Sequence, residues 1–116
     1  MVDIQIENLD GDTPYSVCRP VGDIDAYSVG QFRESLGELT DVSHLLIDLS
    51  EVPFMDSAGL GALIGGIRRT RENDGKVVVA CKEPALVRLL HTTGFDRIVP
   101  VVEDYDEAVA ELLDIG

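Results

Sequence analysis

The stretch FMDSAGLGAL, at residues 54–63, decides the fold and the candidate site. Asp56 and Ser57 are residue types that cap helices. The apolar residues that follow have the i, i+3, i+4, i+7 spacing of one helix face: Leu60, Leu63, Ile64 and Ile67. The apolar run His44–Leu49 before the stretch is typical of a strand buried on both faces. Ser57 is therefore predicted to be exposed at a strand–loop–helix junction, on the carboxyl edge of a sheet.

Four glycines in this predicted helix need a physical explanation, because each costs about 0.8–1 kcal/mol relative to alanine. They are Gly59, Gly61, Gly65 and Gly66. Tight packing of the helix on the sheet explains Gly65 or Gly66. In the first turn, Gly59 and Gly61 are expected to leave the surface clear for a docking partner. Packing on the protein's own sheet is the alternative for these two as well.

The flanking segments alternate between strand and helix patterns. Strands are predicted around Ile4–Ile6, at Tyr15–Arg19, Val77–Cys81 and Ile98–Val102. Helices are predicted from Ala26, with Asp25 as the cap, from Pro84 to a stop at Gly94, and after Asp104. The order β-β-α-β-α-β-α-β-α predicts an α/β fold with a mixed, mostly parallel sheet, formed by residues 1–116 as one domain.

The charge of the chain limits its partners. The chain contains nine Lys and Arg and 22 Asp and Glu, which gives a net charge of −13. This balance disfavours nucleic acids and anionic membranes, which are bound through Lys and Arg. Residues 1–60 carry 2 basic and 12 acidic side chains, so a partner of this half should be neutral or basic, unless the acids only solubilise the surface. Neither a signal peptide nor a membrane span is recognisable, which predicts a cytoplasmic protein. The small size and strong negative charge of the chain predict a monomer when it is free.

The sequence contains no pattern typical of a metal or cofactor site. Cys18 and Cys81 are far apart in sequence, and we expect buried, reduced thiols; a redox role is the alternative. His44 and His91 have no cysteine or histidine at ligand spacing. Ser57 lies outside a Gly-x-Ser-x-Gly elbow and lacks an evident general base, so an enzyme is not expected.

Three motifs together resemble a known family. They are GDID at 22–25 before the first long helix, LLIDL at 45–49 as the buried strand, and FMDSAGLGAL at 54–63. The sequence resembles the STAS domain family, and within it the stand-alone bacterial anti-sigma factor antagonists. The likeness runs from Gly22 through the last helix, while the first strands match only in pattern. The resemblance implies a mixed sheet with about four helices packed largely on one side.

The resemblance also implies a mechanism. In the family, the serine at the position of Ser57 is phosphorylated by a cognate anti-sigma factor that is a serine kinase. The unmodified antagonist binds this kinase and frees a sigma factor; the phosphorylated form is released, and a serine phosphatase resets it. Ala58 stands where the family often has a second serine, so Ser57 is the only hydroxyl there. The implied partner-binding set is Asp25, Asp56, Ser57, Gly59, Leu60 and Gly61.

Other interpretations remain open at this point. Asp25 and Asp56 could be helix caps alone, each contributing about 1 kcal/mol. Asp48, in the apolar strand, must find hydrogen bonds if it is buried, and we assign it a structural role. Some STAS proteins are instead accessory subunits of membrane transporters or parts of larger signalling complexes. Such a subunit would not need phosphorylation, and the intact Asp56–Ser57 pair argues against this alternative.

Overall fold

A single sheet of five strands, in the order β1-β2-β3-β4-β5, organises the computed structural model, which describes residues 2–115. The strands are β1 Asp3–Leu9, β2 Tyr15–Val21, β3 His44–Asp48, β4 Lys76–Ala80 and β5 Val101–Val102. β1 and β2 form an antiparallel hairpin. The pairs β2–β3, β3–β4 and β4–β5 are parallel. The predicted mixed, mostly parallel sheet is therefore confirmed.

Four α-helices connect or follow the parallel strands. They are α1 Val29–Gly37, α2 Ser57–Glu72, α3 Pro84–Thr92 and α4 Tyr105–Leu113, with a short 3-10 helix at Phe95–Arg97. The predicted order of strands and helices is thus confirmed. Pro84 occupies the first turn of α3, and Gly94, with φ of 77°, follows the end of α3 as predicted.

The two faces of the sheet are covered unequally. Neighbouring residues of β3 point to opposite faces, with Leu45 and Ile47 in the larger core and Leu46 in the smaller one. The larger core receives buried side chains from α1, α2 and α3. The smaller core is closed by Ala108 and Leu112 of α4. Three helices therefore pack on one side, which is the predicted arrangement, and α4 covers the other.

Two predicted boundaries were wrong. α1 begins at Val29 rather than at Ala26, because residues 26–28 form a separate turn in which the Val29 N–H donates to the Asp25 carbonyl and the Gln31 N–H donates to the Ser28 carbonyl. Asp25 caps this turn through the backbone N–H groups of Tyr27 and Ser28. The last strand is reduced to Val101–Val102, because the residues after Gly94 form the 3-10 helix and Ile98 keeps a helical backbone.

Asp48 has the hydrogen bonds that its burial requires. Its side chain is 3% exposed, and it accepts hydrogen bonds from Arg19 Nε at 2.9 Å and from the Ser50 backbone N–H at 3.0 Å. The Arg19 guanidinium also lies 5.5 Å from the centroid of the Tyr105 ring. These contacts join β2, β3 and α4, as a structural role for Asp48 predicts.

Cys18 and Cys81 are both buried and free, as expected. Cys18 pairs with Ile47 on the adjacent strand, and Ile47 pairs with Val79 on the next strand. Cys81 follows Val79 by two residues. Two strand spacings already separate them by about 9–10 Å. A disulfide needs Cα atoms within about 7 Å, so the folded chain cannot form one between them.

Burial raises the pKa of Cys18 to about 12 and that of Cys81 to about 11. Both groups are therefore thiols rather than reactive thiolates at pH 8. We expect a thiol-titrating reagent to find no rapidly reacting cysteine in the native protein and two in 6 M guanidinium, a common denaturing concentration. Rapid native labelling of either cysteine would contradict this burial and reopen a redox role.

Candidate functional site

The chain continues the β2–β3 pairing beyond the ends of both strands. The Gly22 N–H donates to the Glu51 carbonyl at 3.0 Å, and the Ile24 N–H donates to the Phe54 carbonyl at 3.0 Å. Residues 22–24 and 51–56 therefore run side by side. The loop before α1 is consequently held against the start of α2, at the carboxyl edge of the sheet.

Asp56 joins these two segments through both of its oxygens. It is the N-cap of α2, and its Oδ1 accepts the Gly59 backbone N–H at 3.0 Å. Its Oδ2 accepts the Ala26 backbone N–H at 3.1 Å. Asp56 is therefore more than a cap, because the same carboxylate holds the loop of Asp25 in place.

Asp25 organises the turn that precedes α1. Its Oδ1 accepts hydrogen bonds from the backbone N–H groups of Tyr27 at 2.9 Å and Ser28 at 3.1 Å. Partial desolvation raises the pKa of Asp25, but these bonds from Ser28 and Tyr27 outweigh it, so the net pKa of this carboxyl is lowered from its usual value. Asp25 is therefore a carboxylate at neutral pH, one peptide bond from the Ala26 N–H that Asp56 binds.

Ser57 is the exposed first residue of α2. Of the four N–H groups that begin a helix, that of Asp56 donates to the Ile24 carbonyl and that of Gly59 to the Asp56 side chain. Among the backbone bonds of residues 2–115, no partner takes the N–H groups of Ser57 and Ala58. These two unpaired N–H groups and the positive end of the helix dipole would therefore stabilise an anion if one were attached to Ser57.

The structure separates the two first-turn glycines and corrects the expectation for Gly59. A Cβ at Gly59 would lie 2.8 Å from the Ile24 carbonyl oxygen and 2.7 Å from Cγ of Met55. Gly59 is thus buried, and it is a glycine because α2 packs on the 22–24 segment. Gly61 is exposed, with no heavy atom within 4 Å of the position that a Cβ would take. Leu60 is half-buried, so part of its side chain packs against the core and the rest is exposed to solvent.

Further along α2, one of the two remaining glycines has the packing role that was expected. A Cβ at Gly66 would lie 2.7 Å from Cδ1 of Leu36 on α1. The two helices pack against each other at this point, and only a glycine allows them to approach so closely.

Two exposed aromatic residues at this edge were missed by the sequence reasoning. The Tyr27 side chain is 99% exposed and that of Phe54 is 52% exposed. Phe54 also lines a shallow apolar cavity of about 240 Å³ between the 53–55 segment and α3. Their signal was a large aromatic side chain outside any helix or strand period, in each case two residues from a capping aspartate. Exposed aromatics of this kind are typical of protein-binding surfaces.

The two histidines lie away from Ser57. His44 begins β3, at the opposite end of the strand from the candidate site, and its Nδ1 contacts Ser43 Oγ. His91 Nδ1 lies 2.8 Å from Asp96 Oδ2. No group of three metal-ligating side chains occurs in the part of the chain that the structure describes. None of the helices within these residues combines the length and the apolar character that a membrane span requires.

Substitution of Asp56 distinguishes its two hydrogen bonds. Asp56→Ala removes both acceptors, and we expect a loss of about 1–2 kcal/mol in the free energy of unfolding. Asp56→Asn keeps one acceptor oxygen for the Gly59 N–H but presents an amide N–H to the Ala26 N–H, so roughly half of that loss is expected. Urea unfolding monitored by circular dichroism provides the measurement. Equal losses in both variants would contradict a shared carboxylate.

The chain is similar to known proteins in both sequence and fold. The family described as "STAS domain" matches residues 3–108. The anti-sigma-B factor antagonist of Listeria monocytogenes is 34% identical over 103 residues, 86% of this chain and 90% of that protein. The crystal structure of an anti-sigma factor antagonist from Mycobacterium paratuberculosis has a TM-score of 0.87 at 28% identity, covering 98% of this chain and 96% of that one. The Bacillus cell fate determinant SpoIIAA, in its phosphorylated form, shares the fold with a TM-score of 0.70 at 20% identity, over 94% and 98% of the two chains.

Proposed function

Because this chain belongs to the STAS domain family, we propose that it is an anti-sigma factor antagonist controlled by phosphorylation of Ser57. In its unmodified form it binds an anti-sigma factor that is a serine kinase, and the sigma factor is thereby freed. Phosphorylation of Ser57 releases the antagonist, and a serine phosphatase restores it. The role is regulatory and uses no catalytic group of this chain.

The position of Ser57 is the observation that carries this proposal. Its hydroxyl is exposed at the first residue of α2, where a kinase can reach it without unfolding the chain. A phosphate there adds about 1.5–2 negative charges, which the free N–H groups and helix dipole accommodate. The antagonist can therefore be modified without loss of its fold.

The surroundings of Ser57 indicate what the partner presents. Asp25 and Asp56 contribute carboxylates at this edge, and Asp23 and Glu51 add two more. Tyr27 and Phe54 contribute apolar area. A neutral or basic partner surface with apolar pockets is complementary to this combination. Gly61, with open space around it, lets that surface approach the helix closely.

A partner surface that packs on this edge would have neither space nor a positive charge for a phosphate on Ser57. A misplaced charge at a desolvated interface costs several kcal/mol, and each 1.4 kcal/mol is a factor of ten in affinity. Release therefore follows from local repulsion, with no rearrangement of the fold. A cycle of this kind belongs in the cytoplasm, where the kinase and ATP are available.

The function is tested by affinity capture from lysate of the source cell, with wild type, Ser57→Ala and Ser57→Glu as parallel baits. Ser43→Glu is the matched control, because Ser43 precedes β3, at the opposite end of the sheet. We expect wild type, Ser57→Ala and Ser43→Glu to retain a kinase-like anti-sigma factor that Ser57→Glu does not. Transporter subunits retained equally by all four baits would overturn the proposal.

A further inference from the structure

A second surface lies at the other end of α2, away from Ser57. A groove of about 320 Å³ runs between the C-terminal half of α2 and residues 95–98. Its apolar lining comes from four side chains, of which Ile98 is 42% exposed: Ile64, Ile67, Phe95 and Ile98. A groove of this size can hold one or two large apolar side chains of a binding partner.

The rim of the groove is basic, in contrast to the rest of the protein. Arg68 and Arg71 line it, and the same two elements carry exposed Arg69 and Arg97. Four of the nine cationic residues of a chain with net charge −13 are therefore gathered on α2 and the 3-10 helix. Glu72 is the one acidic residue that lines the groove.

The two arginines that line the groove lack carboxylate partners in the described part of the chain. Arg71 Nη1 donates to the Ile98 carbonyl at 3.0 Å, which fixes its guanidinium across the groove. The ion pairs found within residues 2–115 are Arg19–Asp48 and His91–Asp96, so neither lining arginine is neutralised by a carboxylate of that part of the chain. Two unneutralised guanidinium groups beside an apolar groove are complementary to carboxylates that flank an apolar anchor.

The groove is separated from the candidate switch but lies on the same side of α2. Arg68 follows Ser57 by eleven residues, which is about 16 Å along the axis and only about 20° around it. Gly61 and Ile64 lie between them on this face. At that distance, beyond a Debye length of about 8–10 Å, a phosphate on Ser57 is largely screened from the groove.

We propose that this groove binds an acidic segment of another protein, with large apolar side chains seated on Ile64 and Ile98 and carboxylates on Arg68 and Arg71. The occupant is acidic, whereas the partner expected at Ser57 is neutral or basic, so the two surfaces select different chemistry. This site does not depend on phosphorylation of Ser57.

The test is a titration of the ¹⁵N-labelled full chain with the peptide acetyl-Glu-Asp-Leu-Glu-Glu-Phe-Asp-Glu-amide, followed by amide chemical shifts. Two control peptides replace either all acids by Gln and Asn, or Leu and Phe by Ser. Saturable shifts are expected at residues 64–72 and 95–98 with the first peptide, at least about tenfold weaker with either control, and weaker on raising the salt concentration.

Three variants complete the design. Arg68→Glu and Ile98→Ala should each raise the Kd of the acidic peptide, the former by at least about tenfold. Arg33→Glu, at an exposed position on α1, should leave it within about twofold. No saturable shift at millimolar peptide, shifts confined to other residues, or an unchanged Kd in Arg68→Glu would each overturn the proposal.

Discussion

Ser57→Glu is expected to weaken binding of the anti-sigma partner by at least about a hundredfold, which corresponds to about 2.8 kcal/mol. The new carboxylate stands at the exposed start of α2, beside Asp56 and in the middle of an already acidic edge. A partner that packs on this edge must bury that charge without a prepared counter-charge, which costs several kcal/mol. The helix itself tolerates an acid at its first turn, so the thermal unfolding curve should be nearly unchanged.

The controls for this variant separate charge at the site from charge in general. Ser57→Ala should bind within about threefold of wild type and should not be released by ATP, because it has no hydroxyl to modify. Ser43→Glu adds the same charge at the opposite end of the sheet and should also bind within about threefold. Isothermal titration calorimetry with the purified partner gives all four constants. Equal affinities for wild type and Ser57→Glu would contradict the proposed switch.

Gly59→Ala is expected to destabilise the fold by about 1–3 kcal/mol, although alanine is the better helix former. The added methyl would stand 2.8 Å from the Ile24 carbonyl oxygen, and this oxygen already accepts the Asp56 N–H. Backbone held by such a bond cannot move aside cheaply. The substitution should therefore push α2 away from the 22–24 segment and disturb the switch edge as well.

Gly61→Ala provides the matched control for the glycine prediction. It lies two residues further along the same helix with no heavy atom within 4 Å of the new methyl, so it should stabilise the fold by up to about 1 kcal/mol. Urea unfolding of the two variants should therefore give changes of opposite sign. A stabilised Gly59→Ala variant would show that the close contact with Ile24 does not exist in solution.

Local patterns in the sequence were sufficient for the elements of the fold. The buried run before Ser50, the Asp56 cap and the Leu63–Ile67 spacing depend on neighbours a few residues apart, and α2 begins at Ser57, at the predicted strand–loop–helix junction. Asp104 likewise caps α4, accepting the Glu107 N–H at 2.8 Å. Such patterns can be recognised in the sequence without knowledge of the tertiary contacts.

The site required information that no local pattern contains. Gly59 and Gly61 are the same residue in the same helical turn, and only the position of Ile24 distinguishes them. The second bond of Asp56, to Ala26, spans thirty residues and follows from the extended pairing beyond β2 and β3.

The most direct measurement follows one sample of the complex through modification. The purified antagonist and its kinase partner are mixed, separated by gel filtration before and after addition of ATP, and the antagonist is mapped by mass spectrometry. We expect co-elution before ATP, and afterwards a free antagonist carrying a single phosphate on Ser57. A phosphate on another residue, or a Ser57-phosphorylated antagonist that still co-elutes with the kinase, would contradict the account.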